Sequence, residues 1–252
     1  MWQLALPPDI SAAGALFLFA VAGLAGLVRG YAGFGAAMVF VPLAALVLDP
    51  VATVVVVLII DVAASLILAA GALRRARLRP VALLFLGAAA GVPLGVRALG
   101  AIDPVTFRWL AGVLILLALG GLLSGWRYRD RPGAAATVAV GALSGFMGGF
   151  TALAGPPVVL FFLGGPDEAA RVRASIIVYF LGTAALSFLS FAMRGLLDGG
   201  LMRLALALSP PYLAGTLAGM MLFRLAGDAR FRYVACALIA LAAVLALPLW
   251  ER

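Results

Sequence analysis

The chain has 252 residues, of which 65% are apolar and only 11% charged, and its mean hydropathy is +1.19. Soluble domains carry about a quarter charged residues, so this composition excludes a soluble protein and indicates an integral membrane protein. The net charge of +8 comes from arginine alone, since lysine and histidine are absent. The arginines fall mostly between apolar runs, so membrane topology explains them and nucleic acid is not an expected partner.

The N-terminal ten residues carry no positive charge ahead of the first apolar run. This argues against a cleaved secretory signal, and the first run is expected to be a permanent part of the membrane domain. Cys236 is the only cysteine, which leaves no disulfide framework and no cysteine-based metal site within one chain.

Each half of the chain contains three apolar segments that match the roughly 20 residues of a spanning helix. They cover residues 51–73, 81–99 and 105–125 in the first half and 173–193, 201–224 and 231–249 in the second. An interrupted apolar pair precedes each trio, at 11–48 and at 134–164, and the second arms, 36–48 and 156–164, are short for full spans. Helix-start or turn signals are predicted at Asp49-Pro50 and Asp103-Pro104, and Pro156-Pro157 is expected to begin the second short arm.

The two interruptions are rich in glycine. The first is 28-VRGYAGFGAA-37 and the second is 144-SGFMGGFTALAGPP-157. Glycine makes a helix break accessible because it adopts positive φ, and non-helical backbone at membrane depth must line protein or a water-filled cavity. The half-helix that follows a break offers free N–H groups and a partial positive charge, so each break is a candidate anion site.

The two halves resemble each other in sequence. The segment 107-FRWLAGVLILLA-118 aligns without gaps on 231-FRYVACALIALA-242, which is an offset of 124 residues. The same offset places Gly91 and Gly95 on Gly215 and Gly219. Earlier in the chain an offset of 119 places Gly26, Gly30 and Tyr31 on Gly145, Gly149 and Phe150. Glycines four residues apart are typical of close helix packing. An internal duplication follows, with membrane repeats at 1–132 and 133–252 forming one transport domain.

Crossing parity and arginine placement predict the orientation of the repeats. An interrupted pair that returns to its own side adds an even number of crossings, and three further helices add an odd number, so the second repeat is inverted. The arginine-rich loops 74–80, 127–131 and 224–232 are then cytoplasmic, whereas 194–203 and both termini are periplasmic. The alternative treats each interrupted pair as one broken helix, which gives parallel repeats and a cytoplasmic C-terminus.

The Gly-rich break after the first apolar run, its weaker echo at 144–157, the basic loop between the halves and the overall length resemble the TauE/SafE family. This resemblance covers nearly the whole chain and implies transport of a sulfur oxyanion or organosulfonate, such as sulfite or sulfoacetate, across the bacterial inner membrane, with export as the expected direction. It fixes no set of binding residues.

Arg29 is the main candidate ligand, since a guanidinium pairs with a sulfonate through parallel N–H···O bonds. The alternative is a hairpin-tip residue that snorkels to the membrane surface. Gly148 occupies the equivalent position in the second repeat, so the predicted site is asymmetric, with Ser144 and Thr151 as its hydroxyl candidates. Either hydroxyl could instead bond its own helix. The remaining candidate substrate-binding residues are Gly30, Tyr31, Gly33, Gly35, Gly149 and Gly155.

Asp61 lies about ten residues into a predicted span, where a carboxylate is costly enough that function is the default hypothesis. It is expected to pair with Arg29 or to accept a proton during transport, and the alternative is a purely structural ion pair. Arg97, near the end of its helix, is expected to be a snorkelling anchor and not a ligand.

Taken together, the sequence predicts an all-α, polytopic membrane protein with two inverted repeats, each an interrupted or re-entrant helical pair followed by three transmembrane helices. The expected function is secondary transport of a small anion by alternating access around a midplane site, in the lipid bilayer, with association as a homodimer also considered. The alternatives are an anion channel and an accessory subunit of a membrane complex. An enzyme is not expected, because the chain has no histidine and one cysteine, and neither a cofactor nor a metal is implied.

Overall fold

A computed structural model describes residues 10–69, 71–124, 128, 132–165, 167–225 and 244. The elements found in these residues are helices: α1 (Ala12–Ala32), α2 (Ala36–Ala44), α3 (Pro50–Ala69), α4 (Leu78–Leu99), α5 (Pro104–Leu123), α6 (Ala134–Thr151), α7 (Gly155–Leu163), α8 (Ala169–Met193) and α9 (Gly199–Leu225). The all-α prediction is confirmed for this part of the chain.

Six of these helices, α1, α4, α5, α6, α8 and α9, are long and apolar enough to cross a membrane. The helix α3 contributes a shorter apolar stretch, Pro50–Leu66. The helices α2 and α7 have nine residues each and extend for only about 13 Å, less than half of the roughly 30 Å hydrocarbon core. The prediction that the second arms of the interrupted pairs are short for full spans is therefore confirmed. The predicted helix at 231–249 and Cys236 lie outside the described residues, apart from position 244.

The predicted helix starts are confirmed by their capping contacts. A carboxylate oxygen of Asp49 accepts the N–H of Ala52 at 2.8 Å, and one of Asp103 accepts the N–H of Thr106 at 2.9 Å. Hydrogen bonding from the Thr106 side chain, supported by its backbone N–H, lowers the pKa of Asp103. The helix α7 begins at Gly155 with Pro156 and Pro157 in its first turn, where the missing N–H groups are not needed.

The first interruption is a tight turn that reverses the chain. Gly33 ends α1 at φ 77° and donates its N–H to the carbonyl of Arg29 at 2.8 Å, and Gly35 begins α2 at φ 92°. These left-handed conformations favour glycine. Beyond α2 the chain lies beside the start of α1, since a Cβ added to Gly14 would be 3.2 Å from Cγ1 of Val47. The first interrupted pair therefore returns to the end from which it starts.

The second interruption also reverses the chain. Ala152 ends α6 at φ 58°, a left-handed conformation that is unusual for alanine. The Ser144 hydroxyl donates to the carbonyl of Ala154 at 2.5 Å, so α7 begins beside the middle of α6, about 15 Å from its first turn. A single cleft is lined by Gly133 and Ala134 at the start of α6 and by Phe162 at the end of α7.

The contacts between residues divide the chain into two compact units, and each unit contains helices from both halves of the sequence. One unit contains α1, α2, α9, the first part of α3 and most of α5. The other contains α4, α6, α7, α8 and the remaining parts of α3 and α5. In the first unit α1 packs along α9, and in the second α4 packs along α6. Each of these main pairs thus joins a helix from residues 1–132 to one from 133–252.

Glycines set the spacing of both helix pairs, as the sequence predicted. Cβ atoms added to Gly26 and Gly30 would overlap the carbonyl groups of Tyr212 and Thr216 on α9, and Cβ atoms added to Gly215 and Gly219 would overlap those of Gly23 and Leu27 on α1. In the second unit the contacts are Gly145 with Ala88, Gly149 with Val92, Gly91 with Ala142 and Gly95 with Phe146. Every one of these four contacts is displaced from its counterpart in the first unit by the offsets 119 and 124.

Candidate functional site

A buried ion pair lies at the first helix break. Arg29 stands in the last turn of α1, and its side chain is only 3% exposed. Its Nε lies 2.9 Å from Oδ1 of Asp61, and its Nη1 donates to the carbonyl of Gly33 at 2.5 Å. The left-handed turn at Gly33 aims this carbonyl back at the guanidinium. The predicted pairing of Arg29 with Asp61 is present, and the arginine lies inside the protein.

Tyr212 completes this cluster from α9. Its side chain is fully buried, and its hydroxyl donates to Oδ1 of Asp61. Pro210 and Pro211 precede it within the same helix, where each proline leaves a carbonyl of the preceding turn without its helical N–H partner. Asp61 therefore forms an ion pair with Arg29 of α1 and accepts a hydrogen bond from Tyr212 of α9. All three side chains belong to the same unit.

The two charged groups differ in what they can do chemically. A guanidinium stays protonated in proteins, so burial makes Arg29 a fixed positive charge that needs an anionic partner. The Asp61 side chain is 26% exposed, and a carboxylate can be neutralised by a proton. In the structure the anionic partner of Arg29 is Asp61.

The second break has hydroxyl groups in place of the ion pair. Ser144 is fully buried in the middle of α6, where it donates to the carbonyl of Ala154 and accepts the hydroxyl of Tyr179 from α8 at 2.9 Å. Gly148 stands where the offset of 119 would place a second arginine, and a Cβ added there would be 2.9 Å from Cβ of Ala154. The structure thus has no room for a large side chain at this position.

The other predicted site residues occupy varied positions. Gly30 and Gly149 are covered by the backbones of α9 and α4, whereas Gly33 and Gly35 form the turn itself. Tyr31 is buried at the end of α1. Thr151 donates to the Met147 carbonyl at 2.9 Å, one turn earlier in α6, and Gly155 opens α7 near the ring of Phe180. Their roles in substrate binding stay predictions.

The sequence analysis missed Tyr212 and Tyr179. Both are fully buried near the middle of apolar helices. Tyrosine in membrane helices is enriched at the two interfaces, and a phenol placed between them needs a polar partner. Their depth was a usable signal, but their partners on other helices were not readable from local sequence.

Arg97 lies in the last turn of α4 and is exposed, and its role as a snorkelling anchor stays a prediction. Among the described residues, no three acidic or cysteine side chains are grouped so that they would hold a metal ion.

Comparison with known proteins gave one result. The family model described as sulfite exporter TauE/SafE matches residues 18–246. No curated protein and no solved structure gave a significant match. The family model covers both helix breaks, the Arg29 cluster and all six candidate spans except the first residues of α1. The protein is a multi-pass membrane protein, and the chain belongs to the TauE/SafE sulfite exporter family.

Proposed function

We propose that the protein is a secondary transporter that exports a small sulfur-containing anion, such as sulfite, sulfoacetate or another organosulfonate, across the bacterial inner membrane. Transport follows alternating access around a site near the membrane midplane. The observation that carries the proposal is the buried Arg29, a permanent positive charge held at a glycine-rich helix break in a chain of this family. Ionisable groups at this depth mark substrate or ion pathways.

Arg29 suits an oxyanion of sulfur because its planar fork matches two oxygens of one sulfite or sulfonate group. In the empty state Asp61 serves as the counter-charge. Protonation of Asp61 weakens that pairing, and the incoming anion then takes its place beside the guanidinium. Release of the anion, together with loss of the Asp61 proton to water on the same side, restores the Arg29–Asp61 pair, so the buried charge has a partner at each stage.

Export of an anion has a driving force without any coupling ion. Moving one elementary charge across 100 mV changes the free energy by about 2.3 kcal/mol. Because the cell interior is negative, this term favours outward movement of an anion. Asp61 adds a means of coupling flux to protons.

Several contacts support an inverted arrangement of the repeats. Both interrupted pairs return to the end from which they start, as Val47 beside Gly14 illustrates, so each contributes an even number of crossings. Arg77 lies in a loop predicted to be cytoplasmic, and Asp167 follows the second interrupted pair. The Nη1 of Arg77 donates to Oδ2 and Oδ1 of Asp167 at 2.6 and 2.8 Å. That contact favours the inverted interpretation, because parallel repeats would place these two residues on opposite sides.

Reconstitution in liposomes tests the proposal. We expect saturable flux of sulfite and small sulfonates in preference to sulfate and chloride. Arg29→Ala should abolish this flux, and Arg29→Lys, which keeps the charge but loses the fork, should retain only part of it. Arg97→Ala is the matched control, because Arg97 is exposed at a helix end, and it should transport at the wild-type rate. Absence of flux for any anion would contradict the proposal.

The same measurement separates the alternatives. An anion channel would conduct without saturation and without coupling to another ion. An accessory subunit would be inactive when purified alone and would gain flux only when a partner protein is added.

A further inference from the structure

A basic cleft opens where α4 and α8 begin, within the second unit. It has a volume of about 500 Å3, and four arginines and one glutamate line it: Arg74, Arg75, Arg77, Arg171 and Glu168. Its size is within the range of small-ligand sites. It shares no residue with the Arg29 cluster, which belongs to the other unit.

The charges in the cleft are not balanced. Arg77 is neutralised by Asp167, which accepts two bonds from its Nη1 at 2.6 and 2.8 Å. Arg74, Arg75 and Arg171 are exposed, and none of the three forms an ion pair with the described part of the chain. Glu168 supplies one negative charge against these three positive charges, so the cleft carries an excess of two positive charges.

The backbone around the cleft is held in place. The N–H of Arg77 donates to the hydroxyl of Ser175 at 2.9 Å, and that hydroxyl donates to the carbonyl of Arg171 at 2.8 Å. Ser175 thus ties the arginine-rich loop to the first turns of α8. The positive end of the α8 dipole lies in the same place and adds to the attraction for an anion.

The position of the cleft at the ends of two apolar spans indicates which class of anion it binds. The apolar spans of α4 and α8 begin at Leu78 and Ala170, next to the cleft, so its arginines lie where a bilayer changes from hydrocarbon to headgroup. Basic pockets between membrane helices at this level suit lipid headgroups, and guanidinium groups match phosphate oxygens in pairs. We propose that the cleft binds the phosphate group of an anionic phospholipid, such as phosphatidylglycerol. This inference does not depend on which substrate the protein transports.

Native mass spectrometry of the purified full chain with added phosphatidylglycerol or phosphatidylcholine tests this site. The wild type should bind phosphatidylglycerol more tightly. The triple variant Arg74→Gln/Arg75→Gln/Arg171→Gln should bind it roughly 100-fold more weakly, at about fivefold per arginine. The charge-matched control is Arg97→Gln/Arg194→Gln/Arg203→Gln, whose arginines are also exposed but lie elsewhere, and it should bind as the wild type does.

A competition experiment separates the lipid from free phosphate. Millimolar inorganic phosphate should displace little phosphatidylglycerol if the site recognises a lipid in the bilayer plane. Complete displacement would assign the cleft to free phosphate and overturn the proposal. Equal lipid affinity in the wild type and the triple variant would overturn it as well. Unchanged circular dichroism of the triple variant, whose arginines are exposed, excludes misfolding as the cause of a loss.

Discussion

Among the described residues, Arg29 is the only charged residue that is buried, and its neighbours account for how the protein tolerates it. Removing a charge from water costs several kcal/mol unless partners compensate. Asp61 supplies the opposite charge, and the Gly33 carbonyl supplies a further acceptor. Tyr212 in turn fixes the carboxylate. The equivalent place in the second unit has Gly148 with no side chain, and an anion site whose charge comes from the first half alone stays a prediction.

The unequal exposure of the two partners predicts an unequal response to mutation. Asp61→Asn leaves the buried Arg29 without its counter-charge, and an arginine cannot discharge itself. Arg29→Met leaves a carboxylate that is 26% exposed and can take up a proton. We therefore expect Asp61→Asn to lower the thermal midpoint in detergent more than Arg29→Met does. The loss of unfolding free energy in Asp61→Asn should reach up to about 3–5 kcal/mol. The double variant should be more stable than Asp61→Asn alone, and additive losses would contradict this.

At the level of helices, close backbone contact organises both units. Glycines on facing helices let α1 approach α9 and α4 approach α6 until main-chain atoms touch. The small-residue spacing was visible in the sequence. The partner of each helix was not, because α1 and α9 are separated by most of the chain and local periodicity carries no information about that contact.

A pair of glycine substitutions separates packing from helix propensity. A Cβ at Gly91 would overlap the carbonyl oxygen of Ala142, whereas a Cβ at Gly120 in α5 would meet nothing within 4 Å among the described residues. We expect Gly91→Ala to destabilise the protein by at least about 1–3 kcal/mol, as overpacking does. Gly120→Ala should raise stability by up to about 1 kcal/mol through helix propensity. Thermal unfolding in one detergent measures both, and shifts of the same sign would contradict the packing argument.

For the whole molecule, as far as the structure describes it, the sequence predicted the order and approximate limits of the helices, both breaks and the Arg29–Asp61 pair. These features depend on hydropathy, glycine and isolated charges, which are local properties. The interleaving of the two halves into two units was not predicted, because it depends on contacts between distant helices. The glycine contacts of the two units match at offsets of 119 and 124, as the predicted duplication would require. They show that each α1-type helix packs in one register on an α4-type helix of the other half.

Inverted and parallel repeats differ in where they place the chain after α8. Inverted repeats put Arg194 in the periplasm and Gly133 in the cytoplasm, whereas parallel repeats put both in the cytoplasm. Each position is exposed, and nothing within 4 Å would obstruct a side chain at Gly133. In a Cys236→Ala background, we expect a membrane-impermeant maleimide to label Arg194→Cys in intact spheroplasts and Gly133→Cys only after the membrane is opened. Protection of both positions until the membrane is opened would establish parallel repeats, because an even number of crossings in each interrupted pair requires Arg194 and Gly133 to lie on opposite sides.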